Sequence, residues 1–588
     1  MAEQINEVLF IRFKRIIVNY RFSLLYAVLC LIVSTPFNLA VFNVLFLEDG
    51  IPAGADSANH AFFIKKIIET HNPLIQYSQF SGLSEENRGY YPSFFHIVVG
   101  IFAATVGYYI DSSTSVIMVM VSLMFVGAII GSVGYAFAIR KIIQRSFESK
   151  DIYFRIRANP KFHYYFILTS VLAFGFLIYS SSPIVKLYND GTYGEVFAMW
   201  MIFPYLVYFL LSNKWIISSI LLAAIAYTHN LSFVMALIAT VSYLLSLLIS
   251  NDISRFKKGL SNYLLLGAIL CIPAVVAFYI PTFSLIINNE VNGAVSQSWS
   301  REQIISQLLP LLYYAGAVST VVLLFINYKF FSWFSMWVVA YFTIFNFSYW
   351  IGARFGRELS VLYGLIIGVC VANIILLVVS KLLKESNQNK HFTYTLQSSK
   401  LTLVCMVAFV ALILPLYYSY YSDRFQNDSN PLLAKYYTDS LEEANSYISE
   451  NITGNILVLG HNPWLKFKVY DKNNVFESVS PDIEVFLNGQ DRIINRYLNR
   501  ILYDPNSNEA KCIVKNYEIN AIFVADKLPG RWYTKGQEST YYNDLELFQK
   551  FHASDYMKLS KEFHDGPVDL RVYETNPKLI SFGCSSKR

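Results

Sequence analysis

The stretch Phe22–Leu47, FSLLYAVLCLIVSTPFNLAVFNVLFL, runs directly into Glu48-Asp49-Gly50 and then Ala55-Asp56-Ser57-Ala58-Asn59-His60. The apolar part is long enough to cross the roughly 30 Å hydrocarbon layer, which takes about 17–25 helical residues. A carboxylate at mid-bilayer costs roughly 2.5–3.5 kcal/mol even on the gentler insertion scales. Glu48, Asp49 and Asp56 therefore belong at the membrane surface, where this first span ends. Carboxylates held at a lipid–water boundary suit chemistry between a membrane lipid and a polar partner.

The rest of the chain repeats the apolar pattern. Only 15% of its 588 residues are charged and 54% are hydrophobic, whereas soluble domains carry about 25% charge. Further spans are read at Val116–Ala138, Tyr164–Tyr179, Val196–Leu211, Trp215–Tyr227, Leu231–Ile249, Tyr263–Pro281, Leu308–Ile326, Trp333–Phe347, Val361–Ser380 and Leu401–Tyr418. With the first, they make a multi-pass α-helical membrane protein of about 11 transmembrane helices. Arg12, Lys14, Arg15 and Arg21 precede a span too long for a signal core, which reads as an uncleaved anchor. The net charge of +6 is spread over many loops, so it speaks to membrane orientation and not to nucleic-acid binding.

Basic segments cluster at the N-terminus, at Arg140–Lys161, at Arg255–Lys258 and at Lys381–Lys390. All four share one face if eleven helices cross, and positive-inside bias makes that face the cytoplasm. Counting Pro92–Tyr109 as a crossing would break this agreement, so it reads as a juxtamembrane or re-entrant helix on the outer face. The outer face then collects the loops Glu48–Tyr91, Ser180–Glu195, His229-Asn230, Ser284–Gln303 and Gly352–Ser360. The expected location is the plasma membrane, with the N-terminus cytoplasmic and the C-terminal part extracytoplasmic.

Composition shifts near Tyr421, dividing a polytopic region 1–420 from a polar tail 421–588. In the tail, helical patterns at Asp439–Glu450, Ile483–Tyr503 and Asn508–Tyr517 alternate with strand-like Ile456–Leu459, Ala521–Ala525 and Leu570–Tyr573. That alternation predicts a small α/β domain. It contains no GxGxxG, P-loop or nucleophile elbow, so a carbohydrate-contacting or stabilising module is expected. Asn427 and Asn451 sit in N-x-S/T triplets, a number close to chance. Cys30, Cys271, Cys370 and Cys405 lie in apolar spans as small core residues. Cys512 and Cys584 lie in the tail and can pair there if it is extracytoplasmic.

Asp56 and His60 are four apart at the start of a helical pattern, Ser57–Thr70, and so share one helix face. Asp56 reads either as a catalytic carboxylate or as a cap on free helix N–H groups. Asp49 lies nearby, and His60 beside Asp56 is a candidate phosphate donor or orienting partner. The same loop closes with Arg88, Tyr90, Tyr91 and His96. Arg88 and His96 could hold a lipid phosphate, and the tyrosines could either stack on a sugar or form an interfacial aromatic belt. Arg354 and Arg357 lie on the face that disfavours cations, where Arg makes bidentate bonds to phosphate. Their other reading is an ion pair with Glu358. Lys186 and His229 are further binding candidates, while Asp190 and Glu195 read as positional.

The Asp56…His60 pair, the closing Tyr-Tyr-Pro-Ser-Phe-Phe-His (Tyr90–His96) and the outer Gly191-Thr192-Tyr193 resemble the GT-C superfamily of membrane glycosyltransferases. The alternating tail is similar to the soluble domain ending many bacterial and archaeal members. This resemblance implies a polyprenyl-phosphate-linked sugar donor, and a glycan, lipid or protein acceptor. It also implies that Asp49 or Asp56 serves as base or as ligand of a divalent cation, Mg or Mn. The chain lacks a Trp-Trp-Asp-type acceptor motif in its tail, which argues against protein N-glycosylation. A lipid phosphate leaves as a stabilised anion, so one carboxylate base and cations for the phosphate would suffice. Two other readings are a transporter or flippase of a lipid-linked glycan, and a non-catalytic scaffold with a glycan-binding tail. The first would predict internal repeats and mid-membrane charges, and neither is evident.

Overall fold

In this computed structural model the described residues are 2–46, 55–76, 79, 82, 90–148, 160–288, 310–347, 349–386, 439–459, 463–469, 473–477, 498, 501, 504–525, 545–565, 568–581 and 584. Asp49, Arg88, the expected span Leu401–Tyr418, the tail helix Ile483–Tyr503 and the 420/421 boundary lie outside them or largely so. Of Arg354 and Arg357 only the backbone is described.

The first helix, α1 (Ala2–Leu45), lies beside α4 (Ser112–Ser146), and the buried Tyr26 hydroxyl joins them by donating to the Ala136 carbonyl at 2.5 Å. Between them in the chain, α2 (Ala55–Thr70) and α3 (Phe94–Gly107) form the first loop region, closed by a two-residue ladder of β1 (Ile75–Gln76) with β2 (Tyr90–Tyr91). At 14 residues α3 spans only about 21 Å, short of the roughly 30 Å hydrocarbon layer. Asp111 starts α4 by accepting from the Ser113 and Thr114 N–H groups at 2.8 and 2.9 Å, satisfying two orphan donors.

Among the described residues, 7 helices are long and apolar enough to cross a membrane. They match the expected spans beginning near Phe22, Val116, Tyr164, Val196, Leu231, Tyr263 and Val361. Helices also form at Trp215–Ala226, Pro310–Ile326 and Tyr328–Phe347, where spans were expected. Arg145 pairs with Glu148, Arg255 with both Glu148 and Asp252, and Lys329 with Asp252. These pairs gather two of the four basic segments at one end of the helices.

One expected loop is corrected. Gly352–Ser360 is not a connection but the opening turns of one continuous helix, Tyr349–Ser386. A glycine inside a helix costs about 1 kcal/mol relative to Ala, and the buried run Leu359–Cys370 that follows supplies far more through packing. Arg354 and Arg357 therefore sit on helical backbone.

The span Tyr193–Leu211 is interrupted by a π-helical turn, Phe197–Ile202, ahead of Pro204. Proline lacks the N–H that a regular helix would use there, and π turns often mark functional sites. Trp200, fully buried in that turn, donates its indole N–H to the Ala128 carbonyl at 3.0 Å and ties the irregular segment to α4.

The C-terminal part folds around a five-stranded sheet in the order β4-β3-β5-β7-β6. Here β3 is Gly454–Leu459, β4 Asn473–Glu477, β5 Ile519–Ala525, β6 Met557–Asp565 and β7 Val568–Thr575. Strands β4, β3 and β5 run parallel, and β7 and β6 are antiparallel. The expected α/β layering is present, with two apolar cores that include Leu457 and Ile522 in one and Val458 and Phe523 in the other. Strand β6 escapes sequence patterning because Lys558, Lys561 and Glu562 dilute its apolar positions, which suits an exposed edge. Cys512 and Cys584 form a disulfide, joining the helix Asn508–Asn516 to the chain's last segment.

Candidate functional site

The sequence brings four separate segments to one end of the membrane helices. Helix α2 supplies Asp56 in its first turn and His60 one turn later. Helix α3 supplies His96, and its start is fixed by the Phe94 N–H donating to the Tyr227 carbonyl at 3.0 Å. That bond holds α3 against the turn that carries His229. The fourth segment is Asp190–Glu195, between the short helix Ser182–Asp190 and the broken span.

His60 and His96 form a buried pair, Nδ1 to Nε2, at 2.7 Å. Only one proton fits between two such nitrogens, so one ring donates and the other accepts. Burial holds His60 down to about 3, with the nearby His229 charge adding to the effect. Burial also lowers His96, with His60 as the second cause. Both imidazoles are therefore neutral at neutral pH. Tyr193 stacks on His60 with centroids 5.9 Å apart, and Tyr91 meets His96 edge-on at 5.8 Å. Two atoms in this cluster, His96 Nδ1 and the Tyr193 hydroxyl, are buried without a hydrogen-bond partner. Such groups in a native fold call for an ordered water or a ligand atom.

The neutral pair carries a linkage consequence. A histidine whose folded pKa is depressed contributes stability above its unfolded value of about 6.5, and loses it as pH falls below that point. Each imidazole should cost roughly 1.4 kcal/mol of stability per pH unit below that value. Thermal unfolding of the solubilised protein between pH 7.5 and 5 should therefore steepen, and His96→Gln should flatten the slope. Equal slopes in the two proteins would refute a neutral buried pair.

His229 caps the helix Asn230–Ile249, its Nδ1 accepting from the Ser232 backbone N–H at 3.4 Å and lying 2.9 Å from the Ser232 hydroxyl. That bond leaves Nδ1 bare, so the ring proton sits on Nε2, which faces the Glu195 carboxylate at 4.0 Å. Glu195 is only 2% exposed although it opens an apolar span. The sequence reading set it aside as positional. A carboxylate in the first turn of a membrane span is itself a signal, because burying one there is costly without a purpose.

Asp56 is exposed. Its position relative to the second loop is fixed by Gly191. This residue ends the helix Ser182–Asp190 with φ at 78°, and a Cβ there would lie 2.5 Å from the Ser57 backbone nitrogen. Only glycine lets the two backbones meet so closely. The contact puts Asp190 on the segment adjoining Asp56, and Lys186 one turn earlier on the same helix. Of the residues singled out from sequence, His60, Tyr91, His96 and His229 thus converge, with Asp56 at their edge and Tyr90 beside them in β2. Tyr193, quoted from sequence only as part of Gly191-Thr192-Tyr193, and Glu195, read there as positional, join them.

Among the described residues no three His, Cys, Asp or Glu side chains lie close enough to hold a metal ion. Asp49, the other ligand the resemblance implies, is outside those residues.

No known family profile and no curated protein sequence matches this chain. Solved structures do. The crystal structure of the Archaeoglobus fulgidus oligosaccharyltransferase tethered to an acceptor peptide is 11% identical, with a TM-score of 0.52 over 87% of this chain and 70% of that one. The same organism's oligosaccharyltransferase AglB, in complex with an inhibitory peptide and a dolichol-phosphate, gives 11% identity and a TM-score of 0.50 over 86% and 69%. ArnT from Cupriavidus metallidurans, bound to undecaprenyl phosphate, aligns over 94% of this chain and 98% of that one at 11% identity, but its TM-score of 0.39 carries no weight. At these identities the likeness is one of fold alone.

Proposed function

We propose that this protein is a membrane glycosyltransferase that moves a sugar from a polyprenyl-phosphate-linked donor to an acceptor on the extracytoplasmic face. The observation that carries this reading is the exposed Asp56, held beside a buried imidazole pair in a GT-C fold. That AglB was solved with a dolichol-phosphate supports a lipid phosphate as the leaving group. In the proposed step an acceptor hydroxyl attacks the anomeric carbon while Asp56 takes its proton. The bond from that carbon to the phosphate oxygen breaks, its electron pair stays on the phosphate, and the configuration inverts. The phosphate is held by cations, with Arg354, Arg357, Lys186 and Arg88 as the candidates. The acceptor class, a glycan, lipid or protein, is left to experiment.

Placement of the site outside is supported by two features. The disulfide Cys512–Cys584 suits an oxidising compartment. The C-terminal helix Pro463–Val469 packs on α2, which puts the first loop and the tail on the same side. One assay tests reaction and side together. Right-side-out vesicles holding the protein and a tagged polyprenyl-phosphate sugar should glycosylate an impermeant acceptor without being opened. Transfer only after permeabilisation would reverse the topology, and no transfer from any lipid-phosphate sugar would refute the activity.

A further inference from the structure

The helix that carries Asp56 and His60 is gripped from its far side by the C-terminal domain. Lys65 lies on α2 at only 3% exposure, an expensive position for a cation unless it is held. Its ammonium donates to the Phe467 carbonyl at 3.4 Å and sits 5.6 Å from the centre of the Phe467 ring. It also attracts Asp111, the carboxylate that starts α4. One buried cation thus links the site helix, a membrane helix and the tail. Around it the tail residues Trp464 and Phe467 are buried in the core of the membrane body and not in that of their own sheet.

A second contact lies elsewhere on the same loop. Gly82, with φ at 70°, approaches edge strand β4 so closely that a Cβ would fall 2.3 Å from the Val475 carbonyl oxygen. An open sheet edge exposes unpaired backbone groups and is normally covered. Here a piece of the first loop lies against it. The two contacts involve different tail elements and both return to the loop that bears the site.

We infer that Lys65 is a positioning residue, and that docking of the tail on the first loop through Lys65–Phe467 and Gly82–Val475 holds the Asp56 helix in its working geometry. This rests on the proposed transferase reading, and the test separates the two. Full-length Lys65→Met and Gly82→Ala proteins are compared with Lys65→Arg by hydrogen exchange at residues 55–62 and 463–469, and by transfer kinetics. Charge-assisted hydrogen bonds of this kind are worth about tenfold or more in an equilibrium. Both disruptive variants should lose protection about tenfold in both segments and lose kcat by at least as much, with KM for the donor little changed. Lys65→Arg should retain most of each. Protection lost without a fall in kcat, kcat lost without a change in protection, or no effect on either would overturn the inference. If the wild-type protein transfers no sugar, the transferase reading fails on its own. Exchange at 55–62 in the two variants then still decides whether the tail holds the site helix.

Discussion

Asp56→Asn should lower kcat by about 10²–10⁴-fold, the range that general-base catalysis supplies, with little change in folding or in donor binding. The choice of Asn decides between two roles that the sequence leaves open. Asn is as good as Asp at the start of a helix, so a residue that only caps α2 would survive the exchange. What remains of a structural effect is the loss of a favourable charge near a helix N-terminus, typically about 0.3–1 kcal/mol. Asp56 is exposed, so the change itself buries no new polar group. An Asn cannot take a proton from the acceptor, and turnover should collapse while the unfolding temperature barely moves. Measured transfer near the wild-type rate would assign Asp56 to capping and shift attention to Asp49 and to the Glu195–His229 pair.

How much of this was legible beforehand depends on the range of the interactions. The end of the first span and the Asp56–His60 spacing are local, because a run of apolar residues and a four-residue interval each fix geometry without knowledge of the rest. The partner of His60 is 36 residues away. Its placement needs the two-residue ladder between Ile75–Gln76 and Tyr90–Tyr91 and the bond from Phe94 to Tyr227. A pair of two-residue strands has no periodicity to read. Glu195 reads as positional from sequence; burial sets it apart, and burial is a tertiary property. Arg354 and Arg357 fall between the expected spans Trp333–Phe347 and Val361–Ser380 and so read as loop, yet the helix Tyr349–Ser386 runs through both. In the tail, the apolar runs mark β3, β5 and β7, but not the buried edge strand β4, Asn473–Glu477, whose polar Asn473, Asn474 and Glu477 break the pattern. The seven-residue helix at Trp464 has no single apolar face to read, because Trp464 and Phe467 pack into the membrane body while Leu465 and Val469 pack into the sheet's core.

The contact that joins the two acid-bearing loops should be the most sensitive point after Asp56 itself. Gly191→Ala places a methyl 2.5 Å from the Ser57 nitrogen, a main-chain atom that no rotamer change can move aside. It also asks a residue with a Cβ to adopt a φ of 78°, and strain of that kind costs about 1–3 kcal/mol. Relief comes only by separating the first turn of α2 from the end of helix Ser182–Asp190. The helix Ser182–Asp190 is buried through Ile184, Val185, Leu187 and Tyr188, so it should hold its place. The first turn of α2 is the part free to shift, and it carries Asp56. Misplacing a reacting group by about 1 Å can cost on the order of 10²-fold in rate. The expected result is a kcat reduced about a hundredfold, with a loss of thermal stability in the range set by the strain. Asp56→Asn removes the proton acceptor and leaves stability in place, so the two variants should differ in unfolding temperature while both lose turnover. A Gly191→Ala protein with wild-type kcat would show that the approach of the two loops does not govern the chemistry.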